Sequence, residues 1–300
     1  MSHNFIDIHT HGIGNFDTRT DNPEDILKMA ELHGRKGTRG ILPTIYPASI
    51  AEMRKNMEAV RKAMESQIYG FKSQSATIIG INIEGPFLNP LRCGAMDKKS
   101  FISPSASSLK KLVSGYEDII RIMTVAPEVK GALKIIEKCV EFGIKVNMGH
   151  SDATYRQAVE GKKAGATGIT HIFNAMRPFH HREPGLAGFG LLDEDIYIEV
   201  IADGVHLHSK TLELIFSKKR LDKIMLVSDS VSPVRKAGRG FFSNGVKGGK
   251  GLAVYKKAGI LAGSGITLAD SIKILKHIGI PEAEIIEAAV ENPERYLSLM

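Results

Sequence analysis

Six residues of this chain have side chains that bind divalent cations, and each follows a short apolar run. They are His9 and His11 in "FIDIHTHG" (5–12), Glu84 in "NIEGPFLNP" (82–90), His150 in "NMGHSDAT" (147–154), His171 in "ITHIFNAM" (169–176) and Asp229 in "LVSDS" (226–230). Imidazole nitrogen and carboxylate oxygen together make a donor set suited to zinc, iron, manganese or cobalt. On a β-strand the side chains at i and i+2 share a face, so His9 and His11 would stand about 6.6 Å apart along the chain and could converge on one point. One histidine at a strand end is more often a hydrogen-bonded structural residue than a ligand. Six such residues act together only if the fold delivers them to one place, so the arrangement of the strands decides the matter.

Strand candidates recur through the chain as short β-branched apolar runs at 5–8, 40–44, 77–83, 119–125, 144–149, 168–172, 197–202 and 223–228. Amphipathic helical patterns lie between them. "NPEDILKMAELHGRKG" offers Asn22 as a cap with Pro23 in the first turn, and "SIAEMRKNMEAVRKAMES" begins at Ser49. "VKGALKIIEKCVEFG" stops at Gly143, which can take a left-handed cap conformation. Eight strands alternating with helices predict a single (β/α)8 TIM barrel over 1–300, although a doubly wound open sheet carries the same alternation. In a barrel all six polar residues fall at the C-terminal strand ends, where barrel enzymes build their sites. The glycine-rich, basic stretch 231–265 breaks the rhythm and reads as a loop or hairpin insertion, and helical patterns return at 267–279 and 281–299.

Composition narrows the class of function. The 300 residues are 43% hydrophobic, enough to bury a sizeable core, and 24% charged with a formal net charge of +7. That balance suits an acidic or phosphorylated substrate, but it lacks the dense basic clusters of a nucleic-acid binder, and lysines such as those in "SKKRLDK" (217–223) read as a solubilising surface. The two cysteines, Cys93 and Cys139, have no CxxC spacing and indicate neither a disulfide framework nor a thiolate zinc site. No apolar run of about 18 residues occurs, and "MSHNFIDIH" lacks the basic and long apolar regions of a signal peptide. The expectation is a soluble cytoplasmic protein that engages neither membrane nor nucleic acid.

The motifs "DIHTHG" (7–12), "EGPFLNP" (84–90), "GHSDAT" (149–154), "THIFNAM" (170–176), "REPGLAG" (182–188), "ADGVH" (202–206) and "SD" (228–229) together resemble the N-acetylglucosamine-6-phosphate deacetylases of the amidohydrolase superfamily. They keep that family's order. The resemblance implies a barrel with a metal site at its C-terminal rim, with Glu84, His150 and His171 as metal ligands and Asp229 as the catalytic aspartate. Some members replace the first histidine pair and hold one metal. This chain keeps His9 and His11, which implies one or two divalent ions per subunit, the second bridged by Glu84, with Asp229 among the ligands. The implied reaction is hydrolysis of an N-acetyl amino-sugar phosphate. A divalent ion makes hydroxide available near neutral pH, Asp229 takes the water's proton and returns it to the leaving amine, and His206 with the metal stabilises the oxyanion. Asn174, Ala175, Arg182 and His206 match the family's substrate contacts, and the segment at Leu261 and Ala262 is similar to a further one. The arginine tends to come from a neighbouring subunit, which implies a homodimer and suits bidentate phosphate recognition.

Two departures from the family pattern stand out. Where the family usually reads "GAH" this chain reads "GAM" (94–96), so at Ala95–Met96 a thioether stands in place of a substrate-binding imidazole and cannot repeat its hydrogen bonds. The chain also starts four residues before the HxH strand and ends at "NPERYLSLM", which predicts a barrel-only form without the family's small β-sandwich. Two rival readings remain open from sequence. One is a TatD-like phosphodiesterase or nuclease, also a compact barrel with HxH at its start. The other is a non-catalytic sugar-phosphate-binding paralogue, which Met96 favours and the retained Asp229 opposes.

Overall fold

The computed structural model describes residues 4–69, 74–232, 241–242, 253–256 and 259–299. Eight strands run parallel in chain order: β1 (Phe5–Thr10), β2 (Thr38–Ile45), β3 (Ile81–Glu84), β4 (Ile120–Val125), β5 (Lys145–Met148), β6 (Gly168–Ile169), β7 (Tyr197–Ile201) and β8 (Ile224–Val227). Each pairs with the next. The ring closes just beyond the strand ends, where Asp229 N donates to His9 O at 2.9 Å and His11 N to Ser230 O at 2.8 Å. The chain is therefore a (β/α)8 barrel, and the open-sheet alternative falls because its first and last strands would not meet.

Helices follow the strands on the outside. Asn22 caps α1 (Pro23–Gly34) by accepting from Glu24 N, with Pro23 in the first turn. Ser49 Oγ accepts from Glu52 N at 3.2 Å to start α2 (Ile50–Tyr69). Next come α3 (Ala106–Val113), α4 (Ala132–Glu141), α5 (Tyr155–Lys163), α6 (Gly185–Leu192), α7 (Ser209–Lys218) and α8 (Leu268–His277). After α4 the chain turns at Gly143, whose φ of +74° is the left-handed conformation expected of it. The pattern at 281–299 resolves into Glu282–Ile286, a π turn at Glu287–Glu291 and a last helix, α9 (Asn292–Leu297). Among the described residues no helix is long and apolar enough to cross a membrane.

Most expected strands match their apolar runs to within two residues at each end, but two are cut well short. The run 77–83 splits into Thr77–Ile78 and Ile81–Glu84, because Gly80 has φ +152° and a Cβ there would meet Ile119 O at 2.6 Å. The run 168–172 pairs only over Gly168–Ile169, since the backbone leaves the extended region at His171, where φ is +29°. The first strand departs from simple alternation as well. Its pairing with β2 breaks between Asp7 and Thr10, and across that bulge Ile6 and Ile8 join the barrel-interior cluster with Leu42, Ile122, Ile201, Met225, Val227 and Tyr296. His9 and His11 nevertheless face the barrel axis above them, while Thr10 turns out to meet His33 of α1 at 3.1 Å. Bulging lets one strand supply both the apolar floor and two donors.

The expected hairpin insertion at 231–265 lies partly outside the described residues. Within them, Phe241–Phe242, Ala253–Lys256 and Leu261–Ser264 pair antiparallel. The last of these joins the barrel where Ser264 N donates to Asp229 O at 2.9 Å and Val231 N to Ser264 O at 3.0 Å.

Candidate metal centre and active-site cavity

All six predicted donors meet at the C-terminal mouth of the barrel, in two groups. Glu84 Oε1 lies 3.0 Å from both His150 Nε2 and His171 Nε2, which are themselves 3.2 Å apart. On the other side His9 Nε2 and His11 Nε2 are 3.3 Å apart, with Asp229 Oδ1 at 3.6 and 3.5 Å from them. Glu84 spans the groups, because its Oε2 is 3.0 Å from His11 Nε2. Each triplet offers one ligand atom per residue within 4.8 Å of the others.

The local backbone explains the convergence. His150, His171 and Asp229 each stand two residues past the last paired residue of their strands, and each has a positive φ, of 47°, 29° and 45°. For residues with a Cβ this conformation costs of order 1–3 kcal/mol each. Surrounding bonds impose it. Asp229, for example, is held from both sides by His9 O and by Ser264 N. The strain turns three side chains inward from strands that would otherwise point them along the barrel rim.

Hydrogen bonds behind the donors fix which ring nitrogen faces the centre. Nδ1 of His9 meets Glu199 Oε2 at 2.9 Å, Nδ1 of His11 meets Thr44 O at 2.9 Å, and Nδ1 of His150 meets Arg92 O at 2.8 Å. Opposite an acceptor, each Nδ1 carries the ring proton, leaving the Nε2 lone pairs aimed at one another and at carboxylates. Lone pairs at such distances repel unless a positive charge, a ring proton or a bound cation, sits among them. Donor separations of about 3.3 Å are also what two ligands make at the tetrahedral angle around zinc at bond lengths of about 2.0 Å. On both counts the residues present fit divalent cations.

Electrostatics follow from the same contacts. Burial alone would lower His9, but the carboxylate of Glu199 above all, then Asp229 and Glu84, raise it to about 10. Burial would raise the Glu84 carboxyl, yet the imidazoles of His11, His150 and His171 against its oxygens hold it well below the usual carboxylate range. Asp7 sits in the β1 bulge and accepts from His9 N at 3.3 Å and Ser228 N at 3.2 Å, and burial pushes it up to about 6.

The donors open into a cavity of about 400 Å³. Of the residues expected to touch substrate, Ala95, Met96, Asn174, Ala175, His206, Leu261 and Ala262 line it. Asp203, itself buried, accepts from the backbone N–H groups of Val205 and His206 at 2.8 Å and from His206 Nδ1 at 2.6 Å, so the imidazole is locked with Nε2 outermost. Arg182 does not line the cavity of its own chain. It is exposed in the loop before α6, with Nη1 3.2 Å from His181 Nε2.

Of the cavity-lining and donor-supporting residues that escaped the sequence reading, three bear most directly on the donors. Tyr46 stacks on the His11 ring at 3.8 Å, and Arg19 lies 4.5 Å above the Tyr46 ring while paired with Asp17. Glu199 is the third. The signal for it was a lone acidic residue inside the apolar run "YIEVIA" of β7. Such a residue has to find a partner in the barrel interior.

Comparison with known proteins adds an independent line. The amidohydrolase family profile matches residues 4–300. The chain is 31% identical over 301 residues to the N-acetylglucosamine-6-phosphate deacetylase of Lysinibacillus sphaericus, covering 98% of this chain and 76% of that one. It is 30% identical over 297 residues to the N-acetylgalactosamine-6-phosphate deacetylase of Escherichia coli O157:H7, covering 98% and 77%. Among solved structures, a mutant N-acetyl-D-glucosamine-6-phosphate deacetylase of Mycobacterium smegmatis in complex with N-acetyl-D-glucosamine-6-phosphate superposes with a TM-score of 0.86 at 26% identity, over 98% of this chain and 77% of that one.

Proposed function

Because the chain belongs to the amidohydrolase family and is a metal-dependent amidohydrolase, we propose that it hydrolyses the N-acetyl group of N-acetylglucosamine 6-phosphate, or of a close N-acetylhexosamine 6-phosphate. The products are acetate and the amino-sugar 6-phosphate. The observation that carries this reading is Asp229. Its Oδ1 faces His9 and His11, the carboxylate also reaches the cavity, and among the described residues no hydrogen bond ties up Oδ2.

A divalent cation, when bound, supplies the acidity that makes hydroxide available near neutral pH. Zinc, iron, manganese and cobalt all suit these donors, and the two groups joined by Glu84 support two ions per subunit. Asp229 accepts the proton of the attacking water as its oxygen bonds to the acetyl carbon. Charge that builds on the carbonyl oxygen meets His206, whose Nε2 is held toward the cavity by the contact of its Nδ1 with Asp203. Asp229 then gives its proton to the sugar nitrogen as the C–N bond breaks, so one carboxylate serves first as base and then as acid. Asn174 and Ala175 support the sugar phosphate from the far wall. Arg182 is exposed and does not line the cavity of its own chain, which favours its use by a neighbouring subunit in a homodimer. The setting is cytoplasmic amino-sugar metabolism.

The test is acetate release from N-acetylglucosamine 6-phosphate and N-acetylgalactosamine 6-phosphate by protein loaded with zinc, iron, manganese or cobalt. Cleavage of a phosphodiester without acetate release would move the protein to the phosphodiesterase reading. Tight binding of the sugar phosphates with no turnover under any metal would make it a binding protein. For the dimer, mixing Arg182→Ala with Asp229→Asn protein should regain activity through hybrid dimers with one intact site.

A further inference from the structure

A column of buried polar side chains runs down the barrel axis beneath the donors. Glu199 on β7 is fully buried. Its Oε2 accepts from His9 Nδ1 at 2.9 Å and from the backbone N–H of His171 at 3.3 Å, and its Oε1 accepts from Asn147 Nδ2 at 2.7 Å. Asn147 Oδ1 in turn accepts from Tyr296 Oη at 2.5 Å, and Tyr296, on the last helix, also meets Thr167 Oγ1 at 2.9 Å. Glu199 thus touches one ligand from each donor group without facing the cavity. It is also tied through two side chains to the helix that plugs the barrel floor.

Charge explains why such a residue is needed. Two divalent cations bring four positive charges into a buried site, and the two carboxylates among the donors, Glu84 and Asp229, bring two negative ones. For one cation those two suffice. For two, further negative charge within hydrogen-bond reach of a ligand offsets the excess, and Glu199 is the buried carboxylate that meets a ligand's ring nitrogen, whereas Asp7 reaches only the His9 backbone. Its bond to Nδ1 also makes His9 a stronger donor and fixes its ring, whereas His150 and His11 lean on neutral backbone carbonyls.

We propose that Glu199 is a positioning residue that makes the second metal position possible: it orients His9 and supplies the counter-charge for a cation held by His9, His11 and Asp229. The cation held by Glu84, His150 and His171 does not depend on it to the same degree. Tyr296, acting through Asn147, holds Glu199 in place. The inference rests on the two-ion reading above.

The experiment is a zinc titration of the apoprotein against a chelating indicator, with bound metal counted by mass spectrometry. Wild-type protein should bind two ions. Glu199→Gln keeps an acceptor of the same shape but no charge, and should weaken one of the two sites about 10- to 100-fold, the range known for such supporting residues, while the other changes much less. Tyr296→Phe removes the hydroxyl that donates to Asn147 and meets Thr167, and should weaken the same site about fivefold. Unchanged thermal unfolding of the apo variants separates this from general damage, and His9→Ala marks which site is lost. One ion in wild-type protein would overturn the two-ion reading itself. Two ions in wild-type protein with unaltered affinities in Glu199→Gln would overturn the role given to Glu199, and an unaltered Tyr296→Phe would overturn the extension to the last helix.

Discussion

The floor of the cavity and its walls are held in different ways. On the floor, His9, His11, His150 and Asp229 are each pinned by a second contact: Glu199, the carbonyls of Thr44 and Arg92, and the backbone of His9 and Ser264. The walls include the loop residues Met96 and Ala175 and the strand residues Leu261 and Ala262, which offer apolar contact and no fixed polar atom of their side chains. Bond-making geometry must be accurate to a fraction of an ångström, whereas recognition of a sugar tolerates adjustment. Substitutions on the floor should therefore change kcat or metal content, and substitutions in the walls should change KM and substrate preference.

The most severe test of this division is Asp229→Asn. Asparagine keeps the shape and can still face His9 and His11, but it cannot accept and return a proton. We expect kcat to fall by about 10³-fold or more, while the ion on the Glu84, His150 and His171 side remains bound by elemental analysis. Substantial activity in that variant would show that another group carries the proton and that the floor is less specialised than its geometry indicates.

A second test probes what braces the floor from outside. His33 on α1 is fully buried against Thr10, the residue between His9 and His11, and burial lowers it to about 4. An unfolded histidine titrates near 6.5, so between those values the unfolded chain binds a proton that the folded chain refuses. Stability should then fall as pH drops through this window, and this group alone should account for a loss of about 2 kcal/mol between pH 7 and pH 5. Urea unfolding at the two pH values checks it, since His33→Gln, which retains a polar partner for Thr10, should lose that much less. Equal pH dependence in both proteins would mean that His33 is protonated in the folded state.

How far the sequence revealed all this follows the same division. The convergence of the six expected donors was legible because metal binding demands particular side chains, and a barrel collects strand-end residues at one end whatever the loops do. Strand alternation gave the barrel, and Asn22, Pro23 and Gly143 gave helix ends, because those signals are local. The β1 bulge was not legible: "FIDIHTHG" reads as plain alternation, and only pairing with β2 reveals that Ile8 and His9 both turn inward. Nor could the short pairing of β6 be read, since the strain at His171 is imposed by distant partners. Glu199 was visible as an odd residue in β7, but its meaning depends on His9, 190 positions away.

The mildest substitution bears on the walls. Met96 lines the cavity beside a loop that passes close to the far wall, since a Cβ on Gly94 would lie 3.5 Å from both Ala175 and the His150 ring. Related deacetylases are read as carrying a histidine at this position, and an imidazole there would offer the sugar phosphate one hydrogen bond that a thioether cannot. Met96→His should therefore raise kcat/KM for N-acetylglucosamine 6-phosphate by about tenfold, mostly through KM, which is the worth of one hydrogen bond to a charged or strongly polar group. Metal content should not move. A change of preference between the gluco and galacto substrates in the same variant would locate Met96 at the hydroxyl that distinguishes them. If instead kcat collapses while KM stays constant, the wall at Met96 takes part in the bond-making geometry, and the separation of floor from walls fails at that point.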